Sequence, residues 1–146
     1  MGKVILGNHS SVIVPRNDRE RICKFYCDVL GGKLVKAEDE RDFIRIGENF
    51  IAFLYGDVPD ESEFMRKARA MWLELKSDNV GELKKRILDF GVFKLDVPDP
   101  HLYFQAPGAQ CWRLVGINED MSFYEGQGAG PNVKMVKARA ERGFQD

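Results

Sequence analysis

One pattern appears twice in this chain, and that repetition limits its fold more than any single motif. A β-branched run, "HSSVIV" (9–14), precedes a helical stretch, "NDRERICKFYCDVLGG" (17–32). Three short apolar or alternating runs follow: "KLVKAE", "RDFIRIG" and "NFIAFLYG". After a polar, Pro-containing stretch the order begins again with "MWLELKS" (71–77), a helical "NVGELKKRILDFG" (79–91), then "VFKLDV", "LYFQA" and "QCWRLVGI". Both helical stretches open on Asn-x-x-Glu (Asn17/Glu20 and Asn79/Glu82), the spacing of a capping box, and both close on a glycine suited to a left-handed C-cap, Gly31 and Gly91. In the first, Ile22, Phe25, Tyr26, Val29 and Leu30 recur with helical spacing.

Each copy reads as a βαβββ unit. A unit alone leaves one sheet face bare, so the two must share a core or exchange halves with a second chain. The expected organisation is a single domain over 1–146, with module one at about 7–57, a linker at 58–68, module two at about 69–117 and a tail at 118–146. In the tail, "EGQGAGP" reads as a connector. The following "NVKMVKARAERG" reads as a short packing or dimer-clasp helix, with Pro131 near its start, Gly143 at its end and a thin stripe of Val133, Val136 and Ala140.

Composition excludes several classes. With 22 basic and 23 acidic residues the formal charge is −1, which gives no bulk attraction to nucleic acid or to an acidic membrane. No apolar run approaches a membrane span, and "MGKVILGNHS" is too short and polar for a signal peptide. Cys23, Cys27 and Cys111 form no CxxC pair, as expected of reduced thiols in a cytoplasm. Cys23 and Cys27 lie one helical turn apart and suit a buried helix face. Phosphate-loop and nucleophile-elbow motifs are absent.

With the repeat in view, the chain resembles the vicinal-oxygen-chelate superfamily of glyoxalases, bleomycin-resistance proteins, fosfomycin-resistance enzymes and extradiol dioxygenases. The resemblance is carried by His9 at the opening of the first strand, by "FYCDVLGGKL" (25–34) and by "YFQAPGAQCWRLVG" (103–116), and it covers about residues 5 to 117. It implies an α+β fold in which tandem βαβββ modules form an open, cupped mixed sheet around a pocket, here with a C-terminal extension. Metal-dependent relatives place one ligand on the first and last strand of each module, and the ion chelates neighbouring substrate oxygens.

Checked at those positions, this sequence keeps one ligand. His9 matches. The last strand of module one offers Ala52, with Tyr55 and Asp57 out of register. The first strand of module two offers Arg69, Ala70 or Met71, with Glu74 too far along, and its last strand places Arg113 where the family has glutamate. One histidine is no metal site, and a guanidinium in its place repels a cation. The expectation is therefore no metal and no cofactor; a divalent Zn, Ni, Mn or Fe ion is the alternative.

Arg113 admits two readings. It points outward or pairs with an acid such as Glu74, or it faces the cup with His9 and binds an anionic or carbonyl-bearing ligand. Ser11 shares strand parity with His9 and adds a hydroxyl. Tyr103 lines the pocket, Trp72 either stacks on a planar ligand or packs in the core, Phe104 packs in the core, and His101, after "PDP", reads as a solvent-exposed turn residue. The expected ligand-binding set is His9, Ser11, Trp72, Tyr103 and Arg113, and His9 is the one catalytic candidate, as acid–base or hydrogen-bonding group. Three functions remain open: a metal-free small-molecule-binding protein of the bleomycin-resistance type, most simply a cytoplasmic homodimer; a lyase, isomerase or dioxygenase with an unusual metal site or a His9-based reaction; and an interaction module with a vestigial pocket.

Overall fold

The β-branched run after His9 forms β1 (His9–Pro15), and the three runs after the first helix form β2 (Lys33–Ala37), β3 (Arg41–Ile46) and β4 (Asn49–Gly56). The computed structural model describes residues 2–3, 6, 8–58, 71–121 and 133–142. Most of the expected linker, the glycine-rich 125–131 stretch, and the cap positions Pro131 and Gly143 lie outside them. The chain divides into two compact units, 1–58 and 59–146, taken in turn.

In the first unit the sheet order is β1-β4-β3-β2, with β1 parallel to β4 and the other pairs antiparallel. The helix between β1 and β2 differs from expectation at its start. Asn17 makes no cap: Pro15 leads into a 3-10 turn (Arg16–Asp18), and the α-helical part, α1, runs only over Arg19–Cys23 before a π-helical segment, Lys24–Val29. The fixed φ of Pro15 suits entry into a helical turn, so the chain is already wound at Asn17. The end is as expected. Gly31 is left-handed (φ 75°), and its N–H and that of Gly32 bond back to the carbonyls of Cys27 and Tyr26, each one residue further back than in a Schellman motif, in keeping with the wider π-helical turn they close. A Cβ on Gly32 would lie 2.7 Å from the Tyr26 carbonyl oxygen, so only glycine fits there.

One face of this sheet packs on the helix. Ile22, Phe25 and Tyr26 of the helix and Val14, Ile44 and Phe53 of the sheet are all fully buried, and the Tyr26 and Phe53 ring centroids are 4.8 Å apart. Asp42 lies on this apolar face and is 1% exposed. It accepts hydrogen bonds from both sides of the Arg19 fork, from Tyr55 Oη at 2.7 Å and from Cys23 Sγ.

The second unit repeats the plan. β5 (Trp72–Ser77), β6 (Phe93–Lys94), β7 (Leu102–Gln105) and β8 (Cys111–Gly116) order as β5-β8-β7-β6, with β5 parallel to β8. The helix α2 (Val80–Phe90) has its Asn79 cap: Asn79 Oδ1 accepts from Glu82 N–H, and Gly91 closes the other end at φ 93°. Ser77 Oγ occupies the Asn79 N–H, so the Glu82 carboxylate turns to the Asn79 side-chain amide instead. The α+β class and the two open mixed sheets are as expected. The strand read from "VFKLDV" is cut to two residues, because Pro98 and Pro100 lack N–H donors and residues 95–99 coil into successive i→i+2 bonds. A third helix, α3 (Val133–Glu141), lies within the expected tail.

Candidate functional site

Strand pairing decides which side chains share a surface. In the first unit His9, Phe50 and Arg45 are register partners, as are Ser11, Ala52 and Phe43, all on the face turned away from the helix. His9 is exposed, with its ring stacked on Phe50 at 4.9 Å and 10° between planes. Ser11 is exposed beside Ala52. Further along the sheet an open recess of about 760 Å³ is edged by Glu38, Asp39 and Glu40. Glu38 is paired with Lys36 and Arg41, and Glu40 with Arg16.

In the second unit the register runs Trp72–Cys111–Gln105 and Glu74–Arg113–Tyr103 across β5, β8 and β7. These residues occupy the face opposite α2. Gly116, of the other parity, has Val80 of α2 within 3.8 Å of its Cβ position. Leu95, Tyr103 and Cys111 form a buried floor, against which Trp72 and Val97 pack. Above it lies a recess of about 290 Å³ lined by Trp72, Glu74, Val97, Tyr103, Arg113 and, from α3, Val136. Arg139 of the same helix pairs with Asp96 at 2.9 Å. Trp72 and Tyr103 meet with ring centroids 5.9 Å apart.

The charges here form a continuous chain. Arg113 Nη2 donates to Glu74 Oε2 at 2.5 Å, and Arg113 Nη1 reaches the Tyr103 hydroxyl oxygen at 3.5 Å. Tyr103 donates to Asp99 Oδ2. Asp99 also faces His101 Nδ1 at 3.2 Å, while His101 Nε2 meets Glu119 Oε1. Burial works against a charged imidazole, yet the bonds to Glu119 and Asp99 outweigh it and raise the His101 pKa. With a carboxylate at each ring nitrogen, the imidazolium can donate to both. Burial, reinforced by Asp99, pushes the Tyr103 phenol up, so it stays a neutral donor. His101 is thus no solvent-exposed turn residue: its side chain is 12% exposed, clamped between two acids.

Three of the five expected ligand-binding residues, Trp72, Tyr103 and Arg113, meet in the second unit's recess. His9 and Ser11 sit together on the first unit's helix-free face. Asp99 and Glu119 were not among the expected residues, whereas Glu74 was expected as a pairing partner of Arg113 and is one. The signal for Asp99 was its period-two spacing with His101 and Tyr103, obscured by the intervening Pro100, and that for Glu74 in the recess was its shared parity with Trp72. The cysteines are poor nucleophiles. Burial and Asp42 push the Cys23 thiol up to about 11, and burial pushes Cys111 up to about 12.

A model of the Glyoxalase/Bleomycin resistance protein/Dioxygenase superfamily matches residues 8–109. The chain belongs to this superfamily. No protein of curated function matches it. Among solved structures, this glyoxalase-superfamily chain is similar to the fosfomycin resistance protein FosX from Mesorhizobium loti, at TM-score 0.65 and 18% identity over 86% of this chain and 100% of that one. It is similar to a point mutant of FosX from Listeria monocytogenes, complexed with Mn(II) and 1S,2S-dihydroxypropylphosphonic acid, at TM-score 0.59 and 18% identity, covering 77% and 90%. A protein from Bacillus anthracis assigned to the glyoxalase family gives TM-score 0.60 and 17% identity, covering 80% and 98%. At these identities the likeness is one of fold.

The superfamily's metal can be tested against the donors present. His9 has a phenyl ring and an arginine as its register partners, and Arg113 is bonded to Glu74. Among the described residues no three His, Cys, Asp or Glu side chains converge to hold an ion. The donors among the described residues do not make up a family-type centre.

Proposed function

We propose that this superfamily member binds a small anionic or carbonyl-bearing molecule in the second unit's recess, without the family metal. The observation that carries the reading is the recess itself, where a guanidinium shares a wall with two aromatic rings. Trp72 and Tyr103 offer apolar faces to a planar group, and Arg113 offers a bidentate fork to a carboxylate, phosphonate or carbonyl. His9 and Ser11 are further ligand-binding groups of the first unit, and the active form is a cytoplasmic homodimer built from one domain per chain.

The test is a titration with benzoate, followed by the Trp72 indole signal in a ¹H–¹⁵N spectrum. Arg113→Gln weakens binding about tenfold or more, the loss expected when a charge-assisted bond worth about 1.5–3 kcal/mol is removed. Equal affinity in the two proteins would refute the role of Arg113. A second reading, favoured by the Mn(II) in the Listeria structure, is a lyase, isomerase or dioxygenase that uses His9 with an ion or as a base. Stoichiometric Zn, Ni, Mn or Fe in untagged protein, lost in His9→Ala, would establish it.

A further inference from the structure

Arg113 already holds a carboxylate. Glu74 is its register partner on the adjacent parallel strand, and both side chains line the recess. Glu74 Oε2 takes the hydrogen bond from Arg113, while its other oxygen, Oε1, lies 3.8 Å from Lys76 Nζ, two residues along the same strand face. The two cations differ in freedom. Arg113 is held on its far side by Tyr103, whose hydroxyl is anchored to Asp99. The Lys76 side chain is about half exposed and moves on a flexible stem.

We infer that Glu74 is a tethered stand-in for the ligand's anionic group, which an arriving anion displaces from Arg113 toward Lys76. This rests on the reading of the recess as a ligand site and adds a rule of selection to it. Two carboxylates cannot share one guanidinium fork without repelling each other, so a ligand anion must compete with an acid present at high effective concentration. A bare anion such as acetate brings only its charge and loses that competition. An aromatic carboxylate also brings a ring to set against Trp72 and Tyr103, and this extra contact lets it displace Glu74. The substrate class is therefore a planar or aromatic monoanion rather than a simple inorganic or short-chain one. Glu74 sets the threshold. The pair also keeps the arginine satisfied when the site is empty, which avoids leaving a half-buried guanidinium uncompensated.

The experiment follows the Trp72 indole and Arg113 Nε–H signals of the full chain during titration with benzoate, acetate and the neutral isostere benzamide. In Glu74→Gln both anions bind about tenfold more tightly than in the wild type, the size of one competing charge-assisted bond, and benzamide binds unchanged. Glu74→Asp keeps the charge but is one methylene too short for the bond, and it gives a gain in the same direction. Equal benzoate affinity in all three proteins, with the Trp72 signal still responding, overturns the stand-in role while leaving the binding site intact. If no probe moves either signal in any of the three proteins, the recess is not a ligand site and both inferences fall together.

Discussion

At the scale of single residues, the chain places two side chains in settings that their sequence neighbours give little sign of. Asp42 stands in "RDFIRIG" at the same parity as Ile44, a core position, and is 1% exposed. Its environment explains how this is tolerated. Burial favours the neutral acid, but the bonds from Arg19, Tyr55 and Cys23 outweigh it and hold the pKa below the usual carboxylate range. A depressed carboxylate pKa adds stability above its unfolded value near 3.8, which is lost as pH falls through the folded value. Asp42→Asn is therefore expected to cost about 2–4 kcal/mol in urea unfolding at pH 7, and to flatten the acid limb of the stability curve. An unchanged midpoint would mean that the cluster contributes nothing. Ala109 makes the opposite case. It sits left-handed at φ 74° in the β7–β8 turn, a conformation that crowds its Cβ against the backbone. Relief of strain in Ala109→Gly is expected to raise stability by about 1 kcal/mol, read from the same unfolding curves. Neither residue was legible in advance, because burial partners and φ values are properties of the folded chain.

At the scale of elements, hydrophobic period and glycine caps located the strands and both main helices, and what failed did so at prolines. Pro15 winds the chain before Asn17 can cap it, and Pro98 with Pro100 converts most of the expected "VFKLDV" strand into a coiled connection. That connection has its own anchor. His101 joins the turn to Glu119 beyond β8, with its pKa raised by those acids against the effect of burial. A raised histidine pKa adds stability that is complete below pH about 6.5 and lost as pH rises through the folded value. Wild-type stability is expected to decline from pH 6 to 8 relative to His101→Gln, by thermal unfolding at matched ionic strength; parallel curves would contradict the clamp. The C-terminal helix is a lighter attachment. A nine-residue helix is marginal alone, and α3 is held by contacts such as Val136 in the recess and the Arg139–Asp96 pair. Removing residues 133–146 is expected to raise acrylamide quenching of Trp72 without unfolding the sheet, with Trp112 (5% exposed, on the α2 side) as the internal reference. Unchanged quenching would show that the helix does not wall the recess.

For the whole molecule, the twofold recurrence of strand, helix and three strands was sufficient to anticipate the class and the succession of elements in both units, and His9 with "FYCDVLGGKL" pointed to the superfamily that the family match bears out. The site was less legible. The resemblance pointed to Tyr103 and Arg113 at the pocket and left Trp72 between ligand stacking and the core, and only the pairing of β5, β8 and β7 shows that the three share a face on which Arg113 meets Glu74. Where the resemblance implies a glutamate this chain has Arg113, and the function proposed above accordingly gives that strand an anion to hold rather than a cation. The most direct measurement is calorimetric titration of chelator-treated protein with benzoate, with and without added Mn(II), for the wild type, Arg113→Gln and His9→Ala. The account predicts binding that is indifferent to Mn(II), retained in His9→Ala and weakened about tenfold in Arg113→Gln. Binding that appears only with Mn(II), survives Arg113→Gln and vanishes in His9→Ala would contradict it.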